Sequence, residues 1–307
     1  TTDNCAGVIV GTTTDALTYS SQGTYVITWS FDDGNGNIST ATQNVIVKDD
    51  TAPTVITQNL TVPLVNGTAT ITAAQINNGS SDNCGIASLT LDYTQFTCAN
   101  VGTNPVVLTV TDVNGNVSTA SATVTIVDII NPVALAQNVT LALGANGQLV
   151  ITPSTVNNGS YDNCSFTMTV SPNTFGPSNI GDNTVVLVVT DASGNTHFTT
   201  ATVTIIDTTL PVVTTQNVTI SLDTNGQASI TANQINNGST DNTQIASMSV
   251  SPNNFTCANL GDNTVTLTVT DIYGNVGTNT AVVTVTDTTL PTIVAPIAIN
   301  TTTNTGC

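Results

Sequence analysis

The chain has 307 residues, of which 39% are hydrophobic and only 7% charged, against about a quarter charged in ordinary globular proteins. Its single Lys, its 19 Asp and its lack of Arg and Glu give a net charge of −18; this excludes nucleic acid as a partner, because that binding needs clustered cations, and disfavours anionic membrane surfaces. The apolar content is too high for a disordered acidic tail, and no membrane insertion is expected, since the densest apolar run, TVVLVVTD at 184–191, has only the length of a strand.

Four landmarks return after 79 or 80 residues. A Gln-Asn pair falls at 58–59, 137–138 and 216–217, and an Asp-Asn pair at 3–4, 82–83, 162–163 and 241–242. An Asp opening a Gly-Asn hairpin falls at 33, 112, 191 and 271, and a Pro at 53, 132, 211 and 291. Such a period marks an array of like units. Residues 1–50 read as the back part of one repeat, 51–129, 130–208 and 209–288 as three full repeats, and 289–307 as the start of a further one. With both ends inside a repeat, the chain is expected to be a piece of something longer.

Within 51–129, TVITQNLTVPLV is predicted as a first strand kinked near Pro63, and the NG turn at 66–67 leads into a second strand, TATITAA. One helical turn around TAAQI at 72–76 is the sole exception to β patterning. INNGSSDNCG is a polar loop, IASLTLDY a third strand and TQFTCANVG a short crossing segment. PVVLTVTD sets Val106, Leu108 and Val110 on one face against Thr109 and Thr111 on the other. NVSTASATVTIVD does the same with Ala120, Ala122, Val124 and Ile126. Alternation of period 2 with turn signals every ~8–12 residues predicts an all-β chain of tandem immunoglobulin-like β-sandwiches. The linkers are short and carry Pro, as in VDIINPV at 127–133, so a semi-rigid rod with about 40 Å per repeat is expected.

The repeated Asp has two readings. Taken alone, Asp-x-x-Gly-Asn is an Asx turn closing a hairpin. In an immunoglobulin-like sandwich, however, the linker, the loop after the second strand and the last hairpin share one pole. That groups Asp49, Asp82 and Asp112, with Asp50 beside them; Asp128, Asp162 and Asp191; and Asp207, Asp241 and Asp271. Carboxylates in contact repel by about 1–4 kcal/mol per pair, which a cation would relieve. Ca²⁺ suits an all-oxygen set completed by Asn83, Asn114, Asn116 and counterparts such as Asn163 and Asn242. Mg²⁺ keeps its waters and wants a strict octahedron, and Zn²⁺ wants His or paired Cys. The competing reading is a solvated acidic cluster at a mobile joint.

Cys84 and Cys98 share a repeat and are the expected disulfide, favouring an oxidising, extracellular setting. The matching positions elsewhere pair Cys164 with Ser178 and Thr243 with Cys257, so Cys164 and Cys257 are expected as buried free thiols, with an intermolecular bridge as the alternative. Cys5 and Cys307 lie near the ends of the chain. Sequons begin at Asn59, Asn138 and Asn217, but Asn- and Thr-rich sequence generates them by chance. His197 is the single His and Lys48 the single cation. A general base, nucleophile or phosphate clamp lacks its partners here, so no enzyme is expected and His197 reads as a surface residue after a hairpin.

The SDNC loop at 81–84, the TDVNGNVS hairpin at 111–118, the closing VTIVD at 123–127 with Asp128, and the DTTLP boundaries at 207–211 and 287–291 resemble the hyalin-repeat and related immunoglobulin-like repeats of very large bacterial surface adhesins, among them the mobile adhesins of gliding bacteria. The resemblance covers nearly the whole chain but departs in the cysteines, so disulfide bracing carries over only in part. It implies a stalk in a secreted or surface-anchored protein. It also brings weak O-glycosylation candidates at DTA 50–52 and DTT 207–209 and 287–289.

The expected function is a non-catalytic extracellular stalk stiffened by Ca²⁺ between repeats. Other parts of a longer protein would reach a cell surface or a surface-bound ligand. Two alternatives stand beside it. The repeats themselves bind glycan, ice or protein through outward Thr rows such as TLTVT at 266–270, or the chain self-assembles into a filament by strand exchange.

Overall fold

A computed structural model describes residues 1–296; the end of the segment 289–307, with Cys307, lies outside the described residues. Three hydrophobic cores form among the described residues, running from Leu64 to Ile126, from Leu143 to Ile205 and from Leu222 to Val285. Each lies inside one sequence repeat. Val106, Leu108 and Val110 are fully buried while Thr109 and Thr111 are half-exposed, so the alternation read from the sequence is the alternation across the sheet.

The repeat 51–129 shows how the chain is wound. A four-stranded sheet is ordered Leu60–Pro63, Val117–Val127, Gly102–Asp112, Ile86–Leu91. A short ribbon, Thr68–Thr70 with Gln95–Thr97, covers its inner face. Leu64, Ala69, Ile71, Ile76 and Phe96 on the ribbon side meet Val106, Leu108, Val110, Ala122, Val124 and Ile126 from the sheet. The first strand changes partners midway. Thr54 and Thr57 bridge antiparallel to Ser81 and Asn77, and then Leu60–Pro63 runs parallel to Val124–Val127. The later repeats switch in the same way, with Val139–Ala142 along Val203–Ile206 and Val218–Ser221 along Val283–Thr286.

The Gln-Asn landmark sits at the switch and explains itself there. Asn59 Oδ1 accepts the Thr123 N–H at 2.8 Å, Asn138 Oδ1 that of Thr202 at 2.8 Å and Asn217 Oδ1 that of Val282 at 2.8 Å. Gln58 Nε2 donates to the Gln75 carbonyl at 2.9 Å. One side chain thus satisfies the ladder N–H that the departing strand leaves behind, and its neighbour ties down the helical turn.

The second strand is shorter than expected. Gln75 Oε1 reaches back to accept the Thr72 N–H at 2.8 Å, so the Thr-x-x-Gln spacing starts a helical turn, Ala73–Ile76, in place of further strand. Its last residue, Ile76, is fully buried. The crossing segment resolves into the strand Gln95–Thr97 and a 3₁₀ turn, Cys98–Asn100. In residues 1–50 the main feature is a hairpin of Gly23–Asp32 and Ile38–Val47, where Trp29 Nε1 donates to Gln43 Oε1 at 3.0 Å.

The chain divides into two compact units. The first holds Thr1–Pro132 together with Asp162–Phe166 and Asp191–Asn195; the second holds Val133–Tyr161, Thr167–Thr190 and the chain from Thr196 onward. The acidic loop and the last hairpin of the repeat 130–208 therefore group with the repeat before them. Among the described residues no helix is long and apolar enough to cross a membrane.

Candidate metal centres

Each candidate centre combines a linker Asp, a loop Asp and a hairpin Asp, and each side chain is pinned first by its own backbone. Asp112 Oδ1 accepts the N–H groups of Asn114 and Asn116, both at 2.8 Å, and its Oδ2 accepts Asn116 Nδ2 at 2.8 Å. Asp191 and Asp271 repeat this with Ser193 and Asn195 and with Tyr273 and Asn275. The Asx-turn reading is therefore right for the hairpin, and it holds for Asp33 too. The loop Asp accepts from the residue two positions on: Cys84 N–H to Asp82 at 2.8 Å, Cys164 N–H to Asp162 at 3.0 Å and Thr243 N–H to Asp241 at 2.8 Å. The linker Asp does likewise, with the N–H of Thr51, Ile130 and Thr209 on Asp49, Asp128 and Asp207.

These turns leave the carboxylates converging. Asp49, Asp82 and Asp112 lie with one oxygen each within 4.8 Å of the others, as do Asp128, Asp162 and Asp191, and Asp207, Asp241 and Asp271. Asp128, Asp191, Asp207 and Asp271 are buried, and so is Asp112. Asp50 corrects the sequence expectation: it is exposed and outside the group, because consecutive residues of extended chain point to opposite sides.

The amides divide into two roles. Asn83, Asn163 and Asn242 donate Nδ2 to the linker carboxylates Asp49, Asp128 and Asp207 at 3.4, 3.2 and 3.2 Å. Asn116, Asn195 and Asn275 donate to the backbone carbonyls of those same residues at 3.3, 3.1 and 3.3 Å. They are struts between hairpin and linker, a role the sequence reading missed in treating Asn116 as an oxygen donor. Asn114 donates Nδ2 to Asp49 Oδ2 at 3.2 Å, but Ser193 and Tyr273 stand at its counterparts, so it is particular to the first group.

Among the described residues, six side-chain oxygens are buried without any hydrogen-bond partner: Asp82 Oδ2, Asp128 Oδ2, Asp162 Oδ1, Asn163 Oδ1, Asp241 Oδ1 and Asn242 Oδ1. All six belong to the three groups. Leaving a buried acceptor unmet costs about 1–3 kcal/mol, more when it is charged. Yet the surroundings favour charge. The Thr51 N–H, with help from the Asn83 and Asn114 amides, outweighs burial and holds Asp49 below the usual carboxylate range. Burial pushes Asp207 up, but the Thr209 N–H, the Thr243 hydroxyl and the Asn242 amide more than reverse it. Burial likewise raises Asp112, and the Asn116 side chain with the hairpin N–H groups brings it down overall. Carboxylates held toward their charged form in the first and third groups, orphaned acceptors in every group and an all-oxygen donor set fit a hard divalent cation.

The cysteines overturn the expected pairing. Cys98 is bonded to Cys164, 66 residues away, and Cys84 is an exposed free thiol. Cys84 and Cys98 flank the six-residue strand Ile86–Leu91, which spans about 20 Å and puts them at opposite ends of the repeat. Cys98 instead meets the acidic loop of the next repeat, and Cys164 is no free thiol. The 3₁₀ turns Cys98–Asn100, Pro177–Asn179 and Cys257–Asn259 correspond, so Pro177, not Ser178, takes the place of Cys98. Cys5 is an exposed free thiol, and Cys257 is free but exposed, not buried as expected, because its 3₁₀ turn lies at the surface. At this seam a Cβ on Gly67, whose φ is +76°, would lie 2.7 Å from the Asn163 carbonyl oxygen; Gly147 stands in the same relation to Asn242, at 2.8 Å. His197 is exposed as expected, with Nδ1 accepting the Ala134 N–H at 3.0 Å.

The chain is similar to Hyalin. The match to Hyalin of Strongylocentrotus purpuratus is 30% identical over 317 residues and covers 96% of this chain. The chain spans about a quarter of that relative, 26% of its length. No family model matches the chain. Similar solved structures include Drosophila N-cadherin EC1-4, with 14% identity, a TM-score of 0.30, and coverage of 87% of this chain and 85% of that one. Mouse Cadherin-23 EC22-24 overlaps with 15% identity, a TM-score of 0.29, and coverage of 78% and 100%.

Proposed function

We propose that the chain is a non-catalytic, extracellular structural segment of a larger surface or adhesive protein, in which one Ca²⁺ at each Asp group locks a repeat to the linker before it. The reading rests on one observation: the only buried side-chain oxygens without partners, among the described residues, are those of the Asp and Asn residues that converge there. Asp128 carries the point most clearly, being 6% exposed with Oδ2 unmet.

Asp128, Asp162, Asp191 and the Asn163 amide oxygen would hold the middle ion, and Asp207, Asp241, Asp271 and Asn242 the third. Asp49, Asp82 and Asp112 form the most open site. The ion would supply positive charge where three ionised groups repel, turning a loop cluster that resists closure into one that requires it. The likeness to Hyalin supports an extracellular adhesive setting, and the bacterial-adhesin setting is part of this proposal, as are the surface ligand and any self-association.

Thermal unfolding and small-angle scattering of the chain with Ca²⁺ and with chelator test the reading. Chelation should lower the melting temperature and shorten the particle. Identical melting and dimensions in both buffers would remove it. A second reading has one observation in its favour. On the outer sheet face of 209–288, hydroxyls line up across three strands as Ser249, Thr268, Thr278 and as Ser251, Thr266, Thr280, a regular surface for a polar lattice or glycan. Glycan-array binding that persists in chelator would favour it.

A further inference from the structure

The three acidic loops are braced in three different ways. The loop of the middle group is tied covalently to the preceding repeat by Cys98–Cys164. Cys164 also donates its N–H to Asp162 Oδ2 at 3.0 Å. Asn163, between them, donates to Asp128 Oδ1 at 3.2 Å while its own Oδ1 stays buried and unmet. Its carbonyl oxygen lies 3.4 Å from Cys98 Sγ, over Gly67. The bond therefore fixes two consecutive residues that face the cation position.

In the third group Thr243 stands at the position of Cys164, and Pro177 at that of Cys98. Hydrogen bonds do the bracing there. Thr243 Oγ1 reaches Asp207 Oδ2 at 2.8 Å and Asp241 Oδ2 at 2.7 Å, and Asn242 Nδ2 reaches the Gly144 carbonyl at 3.2 Å. In the first group Cys84 is an exposed thiol with no bridge.

We propose that the Cys98–Cys164 disulfide pre-organises the Asp128, Asp162 and Asp191 site and makes its divalent-cation affinity depend on redox state, while the Asp207, Asp241 and Asp271 site is indifferent to it. This rests on the cation reading above. A ligand that must also order its own loop binds more weakly by the fraction of time the loop is already ordered, so reduction should weaken the middle site about tenfold. Both cysteines are half-buried and not sealed in a core, so a small dithiol can reach the bridge. The exchange passes two electrons and two protons from the dithiol to the bridge, giving Cys98–SH, Cys164–SH and a cyclic disulfide from the reductant.

The test is calorimetric titration of the whole chain with Ca²⁺, oxidised and after reduction by dithiothreitol, with far-UV circular dichroism reporting the fold. The C98S/C164S double variant and D162N are titrated alongside. The expected result is that one step weakens about tenfold on reduction, that it is already weak in C98S/C164S, and that it is missing in D162N. If the double variant does not fold, reduction of the folded wild type carries the readout. Ca²⁺ binding with every step unmoved by reduction overturns the proposal but leaves the cation reading standing. Equal weakening of all steps also overturns it, since the effect would not belong to the middle site. Absence of binding in the oxidised chain overturns both.

Discussion

Replacing Asp241 with Asn separates a site built for a cation from a cluster of carboxylates that merely tolerate one another. The substitution keeps an oxygen to accept the Thr243 N–H, now at 2.8 Å, and removes one charge from a group whose oxygens lie within 4.8 Å of one another. At that separation a pair repels by about 0.9 kcal/mol in bulk water and about 3.5 kcal/mol at an effective dielectric constant of 20. Asp241 is half-exposed although Asp207 and Asp271 are buried; screening through its open side brings each pair toward the lower figure, and losing two pairs relieves about 2 kcal/mol. In chelator D241N should thus melt above the wild type, by about 4–8 °C for a unit of this size. In Ca²⁺ at a hundred times its dissociation constant the wild type gains about 2.7 kcal/mol per site, and D241N forfeits that gain at its own site. The order of melting temperatures should therefore invert between the two buffers, read by differential scanning fluorimetry. A variant that melts below the wild type by the same amount in both would refute the reasoning.

Gly67→Ala should cost more than Gly79→Ala. Both glycines have positive φ, but a Cβ at Gly79 meets open space while one at Gly67 meets the Asn163 carbonyl; about 1 kcal/mol is expected at Gly79 and about 2–3 kcal/mol at Gly67, measured by urea unfolding, and equal costs would dismiss the seam as a constraint. Asn59→Ala should lose about 1–2 kcal/mol by orphaning the Thr123 N–H, and a deletion without effect in the same assay would show that the clamp is ornamental. Asp223 accepts the Gln227 and Asn225 N–H groups, which hold its carboxyl below the ordinary Asp range. Its contribution is therefore fully present above the unfolded Asp value of about 3.9 and lost only as pH falls through the lower folded value; a side-chain carboxyl NMR titration with its midpoint at or above the unfolded value would contradict this.

The fold was legible because alternation in sequence is alternation in space. Val265, Leu267 and Val269 read as one face of a strand and are all fully buried. The Asp groups were legible for a related reason: a sandwich returns its linker, second loop and last hairpin to one end, so spacing along the chain translates into a place. What spacing could not give was direction at the scale of a single side chain. Asp50 sits beside Asp49 in the sequence but turns away from the group. Cys84 and Cys98 are close along the chain and separated by the length of a strand, whereas Cys98 and Cys164 are far apart and touch. The Gln75 cap, which cuts the second strand short, is visible in the sequence as Thr-x-x-Gln, but only once the helical turn is given priority over the β-branched residues before it.

The partner switch of the first strand has a mechanical consequence. Leu60–Pro63 and Val124–Val127 run parallel and in register over four residue pairs, and the chain enters the repeat before the one and leaves after the other. A pull on the two termini drags these strands in opposite senses along their common axis. Their cross-links are then sheared together, and none can be peeled open singly. The same pairing in 130–208 and 209–288 gives each repeat a clasp that resists stretching as a set, independent of any ion at its end.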